Sequence, residues 1–474
     1  MLNQIYFILP ECILLIAASC ILVIDTMLKD KKRIITYWLS QFTLLTVALT
    51  SITVYSNETI RLFNDAYIID YLSLVLKVFI CLLTMFVFHY SNEYLQELSW
   101  HKGEYYILGL FAVLGMMVMV SSASILTVYL GLELLSLSLY AMVALHREST
   151  QATEAAMKYF ILGALASGML LYGISILYGL TASLSMVDIA AEMVNADSLY
   201  VLFAIIFIII GLAFKLGVAP FHMWLPDVYQ GAPSCVTLFI ASAPKIAAFA
   251  MLTRILFDGL IELGESWQSV LAVLAVLSLA IGNITAIAQT NIKRMLAYST
   301  IAHMGYLLLG VIAANAAGFA ASMFYINSYA LMTTAAFGMI ILLSHKGLEA
   351  EKLDDFKGLA ERNPWFAFVM LCIMFSMAGV PPFVGFWAKW YVLKELVDAG
   401  FVMLAAIAVI FSIIGAYYYL RIVKFMYFDK ADSLLAIKAS KSMRFILSAN
   451  ALLILILGVF PNILMQLCKS AFGV

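Results

Sequence analysis

Apolar stretches of about 20 residues, parted by short polar turns, follow one another from residue 4 to residue 467. Each is long enough to cross the hydrocarbon core of a bilayer. Inside that core open backbone groups find no partner, so the stretches must be helices. Hydrophobic residues make up 64% of the 474 and charged residues only 12%, with mean hydropathy +1.01. Soluble domains run nearer roughly half and a quarter, which excludes a soluble fold. About fourteen spans are expected, at 4–27, 35–55, 69–90, 105–122, 124–145, 153–178, 199–220, 234–254, 267–288, 296–314, 320–344, 365–394, 402–427 and 443–467. The chain therefore reads as an all-α polytopic membrane protein. Its first stretch has no basic flank or cleavage site and is long enough to span, so it is expected as a first helix and not as a removed leader.

Basic residues divide the loops into two sets. One alternate set holds Lys29, Lys31, Lys32, Arg33, Lys102, Arg147, Lys293, Arg294, Lys346, Lys352, Lys357, Arg362, Lys430, Lys438, Lys441 and Arg444; the other, with the termini, holds Arg61, Arg254 and Lys469. Lysine and arginine mark the cytoplasmic side, so both termini are expected on the outer, periplasmic face. Net charge is −1, which predicts neither nucleic-acid binding nor an acidic tail, so no nucleic acid is expected as a partner.

A phrase occurs twice. Gly217-Val-Ala-Pro220-Phe221-His-Met-Trp224 lies in the seventh span, and Gly379-Val-Pro-Pro382-Phe383-Val-Gly-Phe-Trp387 in the twelfth. Met157-Lys-Tyr159 and Met323-Phe-Tyr325 form a weaker echo. An odd number of crossings separates the copies in each case, which inverts the second relative to the first. Two inverted five-helix repeats follow as spans 4–8 and 9–13, with broken helices in spans 7 and 12. The expected divisions are 1–104 (three N-terminal spans), 105–258 (first repeat), 259–430 (second repeat) and 431–474 (a last span).

Beside these phrases stand ionisable groups. Glu133 falls mid-span in Val128-Tyr-Leu-Gly-Leu-Glu133-Leu-Leu-Ser136, Lys215 precedes the first phrase, Lys245 lies mid-span in the eighth, and Lys389 follows the second phrase. A lysine at mid-bilayer costs about 2.5–3.5 kcal/mol on insertion scales, so such residues are kept for function. Pairing or snorkelling toward the headgroups is the plainer reading and suits Lys77, Lys394, Arg421 and Lys424. Loss of water favours a neutral amine and a nearby carboxylate favours the ammonium, so a lysine between those forces can load and release a proton. Glu133 can supply the opposing charge to Lys215 if their helices pack together.

Prolines supply the geometry. Pro220, Pro381 and Pro382 have no amide proton and disturb the carbonyls four residues back, at Leu216, Met377 and Ala378; Pro244 does the same to Ile240 beside Lys245. Freed carbonyls are expected to bind water next to the lysines, although a single proline also serves as a packing kink. His222 follows the first break and can connect the interior with the cytoplasmic mouth, and His303 is a weaker candidate. The cysteines (Cys12, Cys20, Cys81, Cys235, Cys372, Cys468) form no Cys-x-x-Cys pair and read as small buried hydrophobes. Gly-x-Gly-x-x-Gly and Walker sequences are absent, which argues against nucleotide chemistry on this polypeptide.

These residues carry a family resemblance. Gly211-Leu-Ala-Phe-Lys215-Leu-Gly-Val-Ala-Pro-Phe-His222-Met-Trp-Leu-Pro-Asp-Val-Tyr-Gln-Gly-Ala-Pro233, then Pro244-Lys245-Ile-Ala-Ala-Phe, resembles the antiporter-like membrane subunits of respiratory complex I. Lys293-Arg-Met-Leu-Ala-Tyr-Ser-Thr-Ile-Ala-His303-Met-Gly and Glu154-Ala-Ala-Met-Lys158-Tyr-Phe-Ile-Leu-Gly-Ala are similar to its other signatures. The opening Ile8-Leu-Pro-Glu-Cys-Ile, the lysine at 389 and the absence of a long lateral helix resemble one branch of that family.

The resemblance implies Glu133, Lys215, Lys245 and Lys389 as proton-channel residues, with Lys158 and Lys293 as secondary members. It implies a translocase subunit in a bacterial inner membrane, partnered by other membrane subunits, including further antiporter-like ones, and by the lipid bilayer. NAD, FMN, iron–sulfur clusters and quinone are expected on other subunits, with no redox centre here. Two rival readings are a Mrp-type cation/proton antiporter subunit and a scaffold that fills the membrane without conducting.

Overall fold

The computed structural model describes residues 2–29, 33–56, 58–97, 102–193, 198–344, 349–430 and 440–474. Among the expected loop cations, Lys31, Lys32, Lys346 and Lys438 lie outside the described residues. Twelve helices among the described residues are long and apolar enough to cross a membrane. The stretches expected at 105–122 and 365–394 are occupied by the shorter apolar helices Glu104–Val120 and Pro364–Ala378, the latter followed by Val384–Asp398. The one sheet among the described residues is an antiparallel pair, Ile60–Leu62 with Tyr67–Ile69, seated on a small apolar cluster that includes Val54.

The chain forms two compact units. The first comprises Met1–Phe88, His101–Leu216 and Ala243–Val270; the second comprises His89–Trp100, Gly217–Ser242 and Leu271–Val474. In the first unit, helices Glu104–Val120 and Ile125–Val143 meet backbone to backbone. A Cβ on Gly115 would sit 2.7 Å from the Gly131 carbonyl, and one on Gly131 would sit 2.8 Å from the Gly115 carbonyl. Without a hydrophobic drive between helices in lipid, such close contact is what holds them.

Two cations buried in this unit, Lys77 and Arg254, are knotted to carboxylates. Lys77 pairs with Glu11 at 2.7 Å and donates to the Tyr67 hydroxyl at 2.8 Å, which is the pairing expected of it. Arg254 corrects an expectation: it was read as an outer-loop residue, yet it is 1% exposed. Its guanidinium reaches Asp70 at 2.7 Å and Asp258 at 2.8 Å and donates to the Val120 carbonyl at 3.0 Å. The span does not stop at 254 but winds on through a π-helical turn, Arg254–Gly259, which carries Asp258 back to the arginine.

The core of the second unit is the helix pair Ile292–Ile312 and Ala316–Leu343, both almost wholly buried. Two interruptions position the candidate residues. Helix Ser198–Leu216 stops before Gly217, which takes φ 80°, and helix Pro364–Ala378 stops before Gly379 at φ 88°. That left-handed conformation suits glycine, and in each copy a proline follows within a few residues. A third interruption at Ser242 separates Ser234–Ala241 from Ala243–Thr253.

Replacing Gly131 with valine drives a side chain into the Gly115 carbonyl. The expected cost is about 1–3 kcal/mol, read as a lower thermal midpoint of the detergent-solubilised protein, and an unchanged midpoint would show that the two helices can part freely.

Candidate functional site

Each unit holds a lysine whose ammonium sits on a carbonyl that a proline has freed. In the first unit Lys245 is 2% exposed. Its Nζ donates to the Leu216 carbonyl at 2.8 Å, with the Lys215 carbonyl at 3.5 Å. Leu216 ends its helix, and Pro220, four residues on, has no N–H to offer that carbonyl. In the second unit Lys389 Nζ donates to the Ala378 carbonyl at 2.8 Å. Ala378 likewise ends its helix and stands four residues before Pro382. At both places a lysine ammonium meets the freed carbonyl. By this measure Lys389 corresponds to Lys245 and not to Lys215.

Lys215, on helix Ser198–Leu216, is 7% exposed. Its Nζ donates to Ser136 Oγ at 2.9 Å. Glu133 stands one turn before Ser136 on helix Ile125–Val143 and closes no ion pair with the lysine; its Oε1 is buried without a hydrogen-bond partner. A small recess lies here, lined by Ser136, Tyr140, Gly163, Ser167, Gly211 and Lys215 among others. Hydroxyl and carbonyl oxygens solvate an ammonium but carry no formal charge, so how close Glu133 comes decides which protonation state is favoured.

In the second unit Lys389 is partly buried. It also donates to Ser412 Oγ at 2.9 Å and lies 5.0 Å from the centre of the Tyr306 ring. Its stem crosses Gly379, where a Cβ would come 3.0 Å from Lys389 Cδ. His303, 4% exposed, is held between two phenols, with Nδ1 2.7 Å from the Tyr325 hydroxyl and Nε2 3.0 Å from that of Tyr419. Tyr419 continues to Ser299, and Thr300 meets Tyr329 at 2.7 Å. These hydroxyls form a polar tract inside an apolar core.

Three further residues named from sequence stand elsewhere. His222 lies in the turn that follows the first break, half-buried, and its Nδ1 has no hydrogen-bond partner. Lys293 is 1% exposed and bound to carboxylates, Glu349 at 2.8 Å and Glu351 at 2.9 Å, and to the Ala232 carbonyl at 3.0 Å. Glu349 also accepts from Ser234 Oγ at 2.9 Å and from the Tyr94 hydroxyl. Burial opposes ionisation of Glu349, but the Lys293 ammonium outweighs it and holds the carboxyl down at about 2. Lys158 is not a buried member: its side chain is 42% exposed and pairs with Glu154 one turn away at 2.8 Å.

Sequence reasoning did not single out Ser136, Ser412, Tyr325, Tyr419 or Glu349. Ser136 and Ser412 are ordinary helix serines until packing brings a lysine to them. A weak signal existed for Ser136 alone, which follows Glu133 at the spacing that shares a helix face.

A family model described as NADH:quinone oxidoreductase/Mrp antiporter, TM matches residues 122–415, more than half of the chain. A curated relative from Thioalkalivibrio sulfidiphilus, NADH-quinone oxidoreductase subunit N, is 57% identical over 469 residues, covering 98% of each chain. The protein of the same name from Thiobacillus denitrificans is 55% identical, covering 98% of this chain and 97% of its own. Among solved structures, a chain of respiratory complex I from Thermus thermophilus superposes with TM-score 0.84 at 31% identity, covering 96% of this chain and 98% of its own. A chain of the Mrp complex from Dietzia sp. shares the fold alone, with TM-score 0.86 at 21% identity over 100% of this chain and 97% of its own. The chain belongs to the NADH-quinone oxidoreductase subunit N family, within the wider NADH:quinone oxidoreductase/Mrp antiporter membrane family.

Proposed function

We propose that Glu133, Lys215, Lys245 and Lys389 are the residues by which this chain carries protons across the membrane. The chain is a membrane subunit of a proton-translocating NADH-quinone oxidoreductase complex in a bacterial respiratory membrane. The single observation behind the residue assignment is the lysine ammonium seated on a proline-freed carbonyl, once in each unit. Such a lysine keeps its hydrogen bonds satisfied in a place that water does not reach freely, and its proton remains exchangeable. Glu133 supplies the charge that biases Lys215, and Lys245 and Lys389 take and pass protons at the two breaks. Moving one charge against 100 mV requires about 2.3 kcal/mol, which the redox reaction must deliver.

The finer assignments are readings of the same kind. Residues 105–258 and 259–430 serve as two inverted repeats, each with its own broken helix. Both termini face the periplasm, in line with the loop cations. NADH oxidation and quinone reduction occur on other subunits, and this chain couples to them through contacts with neighbouring membrane subunits. Lys293, tied to Glu349 and Glu351, anchors the start of its helix, and His222 exchanges protons near the mouth. Lys158, on an exposed pair, takes no proton step. Identity with subunit N over nearly the full chain favours this reading over an Mrp-type antiporter, which shares only the fold.

Two measurements check the assignment. Glu133→Ala and Lys215→Ala, each in complex reconstituted into vesicles, are expected to abolish proton uptake while the other membrane subunits still co-purify; uptake at the wild-type rate in either variant would refute the site. Pro220→Ala gives residue 220 an amide proton that competes with Lys245 for the Leu216 carbonyl. A hydrogen bond to a charged group contributes about 1.5–3 kcal/mol, so proton uptake should fall about ten-fold or more, and an unaffected rate would detach the freed carbonyl from function.

A further inference from the structure

Two oxygens on one helix compete for the Lys215 ammonium. Ser136 Oγ accepts from Nζ at 2.9 Å. Glu133 stands three residues earlier, with one carboxylate oxygen buried and lacking a hydrogen-bond partner. Residues three apart lie on the same helix face, so a hydroxyl and a carboxyl group stand side by side on the helix that meets Lys215. Tyr140, one turn beyond Ser136, extends the stripe. Gly163 opposite must lack a side chain, because a Cβ there would fall 1.9 Å from the Tyr140 hydroxyl. Ser136, Tyr140, Gly163 and Lys215 all border the same small recess.

We propose that Ser136 is a positioning residue for the proton step at Lys215: it holds the ammonium in a neutral berth, in competition with Glu133, and so sets how readily the lysine gives up its proton. The inference rests on Lys215 being a proton carrier. With Nζ on Glu133, the ion pair favours the ammonium. With Nζ on Ser136, the acceptor carries no formal charge, and the same N–H bond breaks more easily, its electron pair staying on Nζ. Ser412 offers Lys389 a berth of the same kind at 2.9 Å in the second unit. The ionisable groups facing Lys215 from the helices packed on it are Glu133 and Tyr140, Tyr159 on helix Thr150–Thr181, and Lys245 on helix Ala243–Thr253. Glu133 is the one carboxyl group among them.

The test uses whole complex in vesicles, with proton uptake measured against pH alongside the quinone reductase rate, for Ser136→Ala, Ser136→Thr and Lys215→Ala. Removing the hydroxyl leaves the charged berth alone, so the lysine keeps its proton to higher pH. The alkaline limb of the uptake profile should then move up by about one pH unit in Ser136→Ala, and Ser136→Thr, which keeps a hydroxyl, should restore it. A profile lowered evenly with its limb unmoved, or a threonine variant that behaves like alanine, overturns the proposal. Lys215→Ala separates the two levels. Uptake retained there sinks the proton-carrier reading itself, whereas uptake lost there with an unmoved Ser136→Ala profile sinks only the role of the serine.

Discussion

A carbonyl at the end of a helix, four residues before a proline, is the constraint on which the rest of this structure turns. In lipid that oxygen has neither an amide partner nor bulk water, and leaving it bare costs several kcal/mol. A lysine ammonium is in the complementary position, since it needs acceptors and finds none in an apolar core. Lys245 with Leu216 and Lys389 with Ala378 solve both deficits with one hydrogen bond of 2.8 Å each. The break in the helix and the buried lysine are therefore a single feature, and neither would be tolerated at that depth without the other.

The buried cations fall into two chemical groups. Lys77, Arg254 and Lys293 are held by carboxylates at 2.7–2.9 Å and knit helices to their neighbours. Lys215 and Lys389 have, among the described residues, hydroxyl and carbonyl oxygens as hydrogen-bond partners and no ion pair. A close ion pair stabilises one protonation state strongly and resists change. Neutral acceptors satisfy the ammonium without fixing it, which is what a group that must load and unload requires. Lys158 belongs to neither group, because its exposed pair with Glu154 is of the kind that contributes roughly 0–1 kcal/mol.

Much of this was legible in the residues. Spans, breaks and three buried lysines followed from apolar run length, proline position and the cost of charge in lipid. Lys158 differs from the buried lysines because position along a helix does not reveal which face a residue takes, and its side chain is 42% exposed. Arg254 misled for a related reason: a basic residue at the expected end of a span reads as a loop, and the π-helical turn that prolongs the span to Gly259 leaves no mark in hydropathy. The prolines pointed to the carbonyls of Leu216 and Ala378, but not to the lysines that reach them, since those come from other helices.

By itself the sequence determined the class of structure and the chemistry available to it, because both depend on local quantities: how long an apolar run is, where a proton donor is missing, which side chains ionise. Tertiary structure alone decided who meets whom. The serine under Lys215, the tyrosines flanking His303 and the carboxylates around Lys293 join residues from 22 to 116 positions apart in the hydrogen bonds made. No local pattern encodes such meetings; they come from the way the helices pack against one another.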